Sequence, residues 1–178
     1  LGAGYTHGDG KFAPVVERGL AYLLKHQKPN GDLFVPPPNA AEANTWFYSH
    51  GIASIALCEA LGMSRDDELL KQPAQKAIDF IVASQNPEFG GWRYLPRIGS
   101  DTSVSGWQLM ALKSAERVGL VVPKQSYALV TKWLDFAQGA GGDPTRYAYR
   151  PQAREESPGD DFEHQRRPSR VMTAEALL

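Results

Sequence analysis

Few residues in this sequence combine a reactive side chain with a spacing that chemistry requires. His50 and the single cysteine, Cys58, are the first pair of metal-ligand types to consider. They lie eight residues apart, which is about 12 Å along an α-helix, so one ion cannot join them without other geometry. Cys58 is therefore expected to be a small core residue, and His50 a hydrogen-bonded structural histidine. We predict no metal site and no cofactor.

Asp101 is the weak candidate for a catalytic residue. It stands directly before a helical pattern that begins at Thr102. A carboxyl group there could act as a lone general acid, but aspartate is also among the preferred N-cap residues of helices. The capping role is favoured. The sequence contains neither a Gly-x-Ser-x-Gly nucleophile motif nor a P-loop.

The composition is that of an ordinary globular domain and excludes several classes of protein. The chain has 178 residues, 42% of them hydrophobic and 22% charged, with a formal net charge of −1. No apolar run approaches the roughly 20 residues of a membrane span. Acidic and basic residues are interspersed, so no broad positive field favours a nucleic-acid partner. The basic run at 164–170 is interpreted as solvated.

The elements that must position these residues are helices of two alternating kinds. One kind is amphipathic, with apolar residues at helical spacing and charges opposite. The other is apolar or small almost all round, as in the segment 44–61, where Glu59 is the one formally charged residue. No strand-length alternation competes, so the prediction is an all-α fold of outer and inner helices. The predicted helices are 11–26, 44–61, 71–85, 102–118, 126–138 and a segment from 171 onward.

A repeat runs through these helices. Gln27, Gln85 and Gln138 each close an outer helix, and a glycine and usually an aromatic residue follow. Shifting the second inner helix back by 55 residues superposes Gly106 on Gly51. Repeats of this length indicate stacked helical hairpins. Because a glutamine side chain both donates and accepts hydrogen bonds, we predict that it ties its own turn to the end of the next helix.

The turn motif resembles the Gln-x-x-x-Gly-x-Trp repeat of squalene and other triterpene cyclases, whose wider family includes protein prenyltransferase β subunits. The copies here are degenerate, with Leu33 and Pro144 at two of the aromatic positions and one extra residue before Trp92. The resemblance implies an α/α toroid of inner and outer helices. About three hairpins are present, half of a closed ring, so residues 1–178 are expected to be one repeat domain from a longer chain, with an exposed charged loop at 150–170.

The resemblance also implies where a ligand would lie, because the first turns of the inner helices face the central cavity of such a toroid. Aromatic side chains there could hold an isoprenoid or another apolar molecule, although a packing role is slightly favoured. The cavity-facing candidates are Trp46, Tyr48, His50, Asp101, Ser105 and Trp107, followed by Thr173 and Glu175 in the third copy.

The chemistry of the resembled families is absent at the matching positions. Aligned on the Asp-Thr pair, Ser100 replaces the cyclase acid and Ile98 the first aspartate, while Ala56 replaces the aspartate two residues before the zinc-binding cysteine. We therefore expect a binding or scaffolding module, whose partners are the rest of its own chain or another copy meeting its exposed hairpin faces. The alternatives are a divergent terpenoid cyclase or transferase completed by further hairpins, and a carbohydrate-active toroid.

Overall fold

A computed structural model describes residues 1–37, 43–64, 67–140, 142–153 and 162–177, and most of the regular structure there is helical. The predicted all-α class is confirmed. A short antiparallel pair, β1 (Tyr147–Ala148) and β2 (Pro168–Ser169), accompanies the helices. The helices are α1 (Ala13–His26), α2 (Trp46–Met63, after a 3-10 turn at Ala43–Thr45), α3 (Asp67–Ser84), α4 (Thr102–Arg117), α5 (Lys124–Ala137), α6 (Phe162–Arg166) and α7 (Arg170–Ala176).

The helices pack as hairpins around α4, which contacts α2, α3, α5 and α7. Both α2 and α4 follow the uncharged pattern of the inner segments and carry many fully buried residues. The amphipathic helices α3 and α5 instead bury one stripe and expose their charges. Helix type therefore follows the sequence pattern. None of the described helices is long and apolar enough to cross a membrane.

Two of the three glutamine turns are tied to a following helix, as predicted, and in both cases this is the next outer helix. Gln27 donates from Nε2 to the carbonyl of Gly31 in its own turn, at 3.3 Å, and to that of Pro73 in α3, at 2.8 Å. Gln85 repeats the arrangement with the carbonyls of Gly90, at 2.7 Å, and Ser126 in α5, at 3.0 Å. The predicted glutamine brace is confirmed in two copies.

The glycines of these two turns are required by the close approach. Gly31 and Gly90 have φ of 91° and 89°, a backbone conformation that other L-residues rarely adopt. A Cβ at Gly31 would overlap the carbonyl of Lys76, and one at Gly90 the carbonyl of Leu129. Each turn therefore rests directly on the backbone of the next outer helix.

The third turn is different, because Gln138 is exposed and donates to the carbonyl of Pro144 within its own turn, at 2.8 Å. An added Cβ at Gly142 would meet nothing within 4 Å. The third turn is also longer than the first, as the backbone hydrogen bonds that close the two turns show. The backbone N–H of Gly139 donates to the carbonyl of Arg146, whereas Lys28 reaches Asp32 in the first turn.

The segment 150–170, for which an exposed loop is predicted, has buried residues at its described beginning. Arg150 and Ala153 are buried, and the Arg150 side chain donates to Oε1 of Gln165 at 3.2 Å. The later part contains α6 and β2. Its central residues, 154–161, lie outside the described ranges.

Candidate functional site

Three of the predicted site residues, His50, Ser105 and Thr173, occupy equivalent positions on the inner helices and make the same kind of hydrogen bond. Each accepts the backbone N–H of the residue that follows a glutamine turn. The pairs are Leu33 N to His50 Nδ1 at 3.1 Å, Trp92 N to Ser105 Oγ at 2.9 Å, and Tyr147 N to Thr173 Oγ1 at 3.1 Å. These side chains tie each turn to the inner helix that comes after it.

His50 is neutral in this arrangement. Nδ1 accepts the Leu33 N–H, so the proton is assigned to Nε2, which lies 3.1 Å from the carbonyl of Ala77. Complete burial lowers the pKa of His50 to about 4, although the Ala77 carbonyl and the nearby Asp32 carboxylate act to raise it. Because Nδ1 carries no proton, its 3.6 Å separation from Asp32 Oδ1 is not an ion pair.

Trp46 is also held by the first turn. Its indole Nε1 donates to Asp32 Oδ1 at 3.0 Å, and its ring stacks on Phe34 with 5.5 Å between centroids. Asp32 is buried and accepts a second, charge-assisted bond from Lys28 at 2.7 Å. The half-buried Trp46 therefore packs against the turn between α1 and α2, away from the cavity described below.

Asp101 caps α4, and the predicted capping role is confirmed. Its Oδ1 accepts the Val104 N–H at 2.7 Å. Oδ2 accepts the Tyr149 hydroxyl at 3.2 Å and lies 3.8 Å from Arg93 Nε. Burial raises the pKa of Asp101 to about 7, against the lowering effects of the Val104 N–H, the Arg93 charge and the Tyr149 hydroxyl. This carboxyl group is therefore partly protonated at neutral pH.

Hydroxyl groups from successive repeats meet beside Asp101 in what we call the tyrosine rim: Tyr48, Tyr94, Tyr149 and Ser103. Tyr48 donates to Ser103 Oγ at 3.0 Å, and the hydroxyls of Tyr94 and Tyr149 lie 2.8 Å apart. In each pair the two residues are 55 apart in sequence, which is the shift that superposes the inner helices. Of the rim, sequence reasoning had identified Tyr48. The signal for Tyr94 and Tyr149 was their shared position, two residues after Trp92 and Tyr147.

A cavity of about 550 Å³ lies between α4, α5 and α7. Its wall is mainly apolar and includes Trp107, Leu109, Met110, Val130, Leu134 and Val171. The polar residues on the wall include Ser103, Ser105, Lys113 and Glu175. Of the predicted site residues, Ser105, Trp107 and Glu175 therefore line one cavity. Trp46, Tyr48, His50, Asp101 and Thr173 are not among its lining residues.

Glu175 connects this cavity to the tyrosine rim. Its carboxyl group interacts with the Ser103 hydroxyl, and that hydroxyl accepts a hydrogen bond from Tyr48. Burial raises the pKa of Glu175, and the interaction with Ser103 partly opposes the shift. The basic residue of the wall, Lys113, is paired with Glu116 at 3.1 Å and lies 4.2 Å from the ring centroid of Tyr127. Glu175 is the acidic residue of the cavity wall, and it lies next to Ser103.

The cavity is lined mainly by apolar side chains. Within the described ranges, no three side chains of the metal-ligating types come together. Comparison with models of known protein families, with characterised proteins and with solved structures found no match.

Proposed function

We propose that this chain is a helical-hairpin repeat domain of the squalene-cyclase and prenyltransferase type that binds an apolar small molecule and has no cyclase activity of its own. The observation that carries the proposal is the apolar cavity between α4, α5 and α7. Its volume, about 550 Å³, falls within the range of small-molecule sites. Trp107 supplies an aromatic face, and a few polar groups lie at one end.

Binding is favoured over catalysis because the groups suited to proton transfer have structural partners. Asp101 binds the first turn of α4, is fully buried and is not among the residues of the cavity wall. Ser105 does reach the wall, but its hydroxyl accepts the Trp92 N–H at 2.9 Å. Ser100 stands where the resembled cyclases carry their acid. The glutamine braces of the first two turns are consistent with a rigid scaffold for such a cavity.

Calorimetric titration with an isoprenoid alcohol such as farnesol tests the proposal. We expect saturable binding by the intact chain and its loss in Ala174→Phe, because Ala174 lines the cavity and a phenyl ring would fill it. Ala128→Phe, on the exposed side of α5, is the matched control and should bind normally. If the intact chain binds no apolar ligand, or binds an oligosaccharide instead, the proposal is wrong.

A second candidate is a divergent terpenoid cyclase or transferase in which Asp101 is the acid. The raised pKa of Asp101, about 7, and its hydrogen bond to Tyr149 favour it, since a catalytic acid works best with a pKa near the operating pH. Asp101→Asn separates the two, because asparagine caps a helix about as well as aspartate. Loss of turnover at unchanged melting temperature would support the enzyme, and any turnover that survives would exclude Asp101 as its acid.

A further inference from the structure

We infer that the ligand of the α4–α5–α7 cavity carries a hydrogen-bond-donating head group, an alcohol or a protonated amine, on an apolar body. An anionic head, such as a phosphate, is disfavoured. This inference rests on the proposed binding function and adds the chemical class of the ligand. It follows from the charges on the cavity wall and from the occupation of the backbone groups at the start of α4.

The acceptor for such a head group is Glu175. Its side chain lies across Gly106 of α4, where an added Cβ would be 3.0 Å from Glu175 Cγ and 3.2 Å from Oε1. The absence of a side chain at Gly106 thus leaves room for this carboxyl group against the helix. Glu175 is half-buried and shares the wall with Ser103 and apolar residues. A carboxylate in such surroundings favours a cationic or hydroxyl donor and repels an anion.

The positive charge of Lys113 does not neutralise the Glu175 carboxylate. It stands ten residues after Ser103 on α4, about 15 Å along the helix. Its ammonium group is paired with Glu116 at 3.1 Å and lies over the Tyr127 ring. Binding a phosphate through Lys113 would therefore compete with two existing interactions, at the end of the helix away from Glu175.

The start of α4 is also unsuited to an anion. Helix N-termini bind phosphate through unpaired backbone N–H groups. Here the Thr102 N–H donates to the carbonyl of Tyr149 at 3.0 Å, and the Val104 N–H donates to Asp101 Oδ1 at 2.7 Å. The Ser105 N–H donates to the Asp101 carbonyl at 3.1 Å. The capping carboxyl group of Asp101 occupies the position that an anion would take.

The apolar part of the cavity suits an aliphatic or aromatic body. Leu109 and Met110 of α4 line it together with Val130 and Leu134 of α5, and Trp107 adds an aromatic surface. Along α4, these residues follow Ser103, beside which Glu175 lies. A ligand with its donor at Glu175 and its body along α4 would therefore match both ends of the wall.

A series of probes with one tail and different heads tests the inference: decane, 1-decanol, decylamine and decyl phosphate, each titrated against the whole chain. We expect decylamine to bind most tightly, decanol next, and decyl phosphate at least about ten-fold more weakly than the amine, which is the effect of losing one favourable charge interaction. Glu175→Gln should weaken decylamine about ten-fold and decane hardly at all. Glu17→Gln, on the exposed side of α1, is the matched control and should change none of them.

Each outcome bears on a different claim. Decyl phosphate binding as tightly as decylamine, or decylamine affinity unchanged in Glu175→Gln, would overturn the head-group inference while leaving the cavity as a binding site. Failure of all four probes, decane included, would overturn the proposed function itself. Circular dichroism of Glu175→Gln establishes that the variant is folded, and Lys113→Gln should leave the affinity for decyl phosphate unchanged.

Discussion

The α2–α4 and α4–α7 interfaces use the same packing device with different results. In both, a long polar side chain covers a glycine of the preceding inner helix. Gln108 lies over Gly51, with Nε2 2.6 Å from the position of an added Cβ, and Glu175 lies over Gly106. The first interface joins helices of 18 and 16 residues, whereas α7 has seven. The first is therefore closed and the second borders the cavity.

The comparison shows that the free volume beside a polar residue determines whether the residue is structural or available to a ligand. Gln108 is fully buried, and its amide donates to the Phe47 carbonyl at 2.8 Å. Glu175 also covers a glycine, but it lines the cavity. The glutamine turns differ in the same way, because Gln85 is buried between two acceptors and Gln138 is exposed with one. Variants matched across the two regions test this difference.

The largest expected effect is on the pH dependence of stability, because His50 and Asp101 are buried and their pKa values are shifted in opposite directions. His50, buried between α2, α3 and the first turn, has a folded pKa of about 4, below its ordinary value of 6.5. Its contribution is complete above pH 6.5 and is lost as the pH falls towards 4. Asp101, beside the tyrosine rim, has its pKa raised from 3.8 to about 7. Its contribution is complete below pH 3.8 and is lost as the pH rises through 7.

In the intact chain these two dependences oppose each other between pH 4 and 6.5, so we expect a nearly flat profile of unfolding free energy there. His50→Gln should leave the Asp101 dependence, so stability falls by about 3 kcal/mol as the pH rises across this window. Asp101→Asn should give the opposite slope of similar size. Urea denaturation at several pH values measures both. Parallel profiles for the two variants would contradict the assignment.

The next largest effect is expected from truncating the two side chains that cover a glycine, Gln108 and Glu175. Gln108→Ala should cost about 2–3 kcal/mol, because it leaves a void in a closed interface and takes the donor from the Phe47 carbonyl. Glu175→Ala should change stability by less than about 0.5 kcal/mol, because the residue already borders open space. Thermal and urea unfolding give the two values. Equal losses would mean that the α4–α7 interface is as closed as the first.

The two glutamine turns provide a smaller contrast. Gln85→Ala should cost about 2 kcal/mol, since the carbonyls of Gly90 and Ser126 lose a buried donor. Gln138→Ala should cost about 0.5 kcal/mol or less, because water can replace the exposed bond to Pro144. Hydrogen exchange at the start of α5 should accelerate in the first variant. Unchanged exchange there would show that Gln85 does not brace α5.

The smallest effects on stability, about 1 kcal/mol or less, are expected from replacing the two covered glycines, Gly51 and Gly106, with alanine. The two substitutions should act differently. Gly51→Ala would force the buried Gln108 amide from its place, and we expect a net loss despite the better helix propensity of alanine. Gly106→Ala should be neutral or stabilising, because the Glu175 side chain can move towards the cavity and the gain in helix propensity remains. Melting temperatures measure the difference. Destabilisation by Gly106→Ala equal to that by Gly51→Ala would contradict it.

The capping role of Asp101 could be read from its type and place, because an aspartate before an uncharged helical segment satisfies local N–H groups. His50, Ser105 and Thr173 were identified as inner-helix residues, but their shared task was not. Each accepts an N–H from a turn 13 to 26 residues away in sequence. A local sequence pattern cannot indicate a hydrogen-bond partner this far away. The position of each residue within the repeat can indicate it.

The sequence by itself determined the helices, their inner or outer character and the glutamine turns, because periodicity and backbone preference act over a few residues. Tertiary structure alone decided that Tyr94, Tyr149 and Asp101 form one hydrogen-bonded group and that Glu175 borders a cavity while Gln108 fills an interior. The reason is physical: hydrogen-bond partners and free volume depend on how helices distant in sequence approach one another, and the same polar residue serves packing or binding according to the space left beside it.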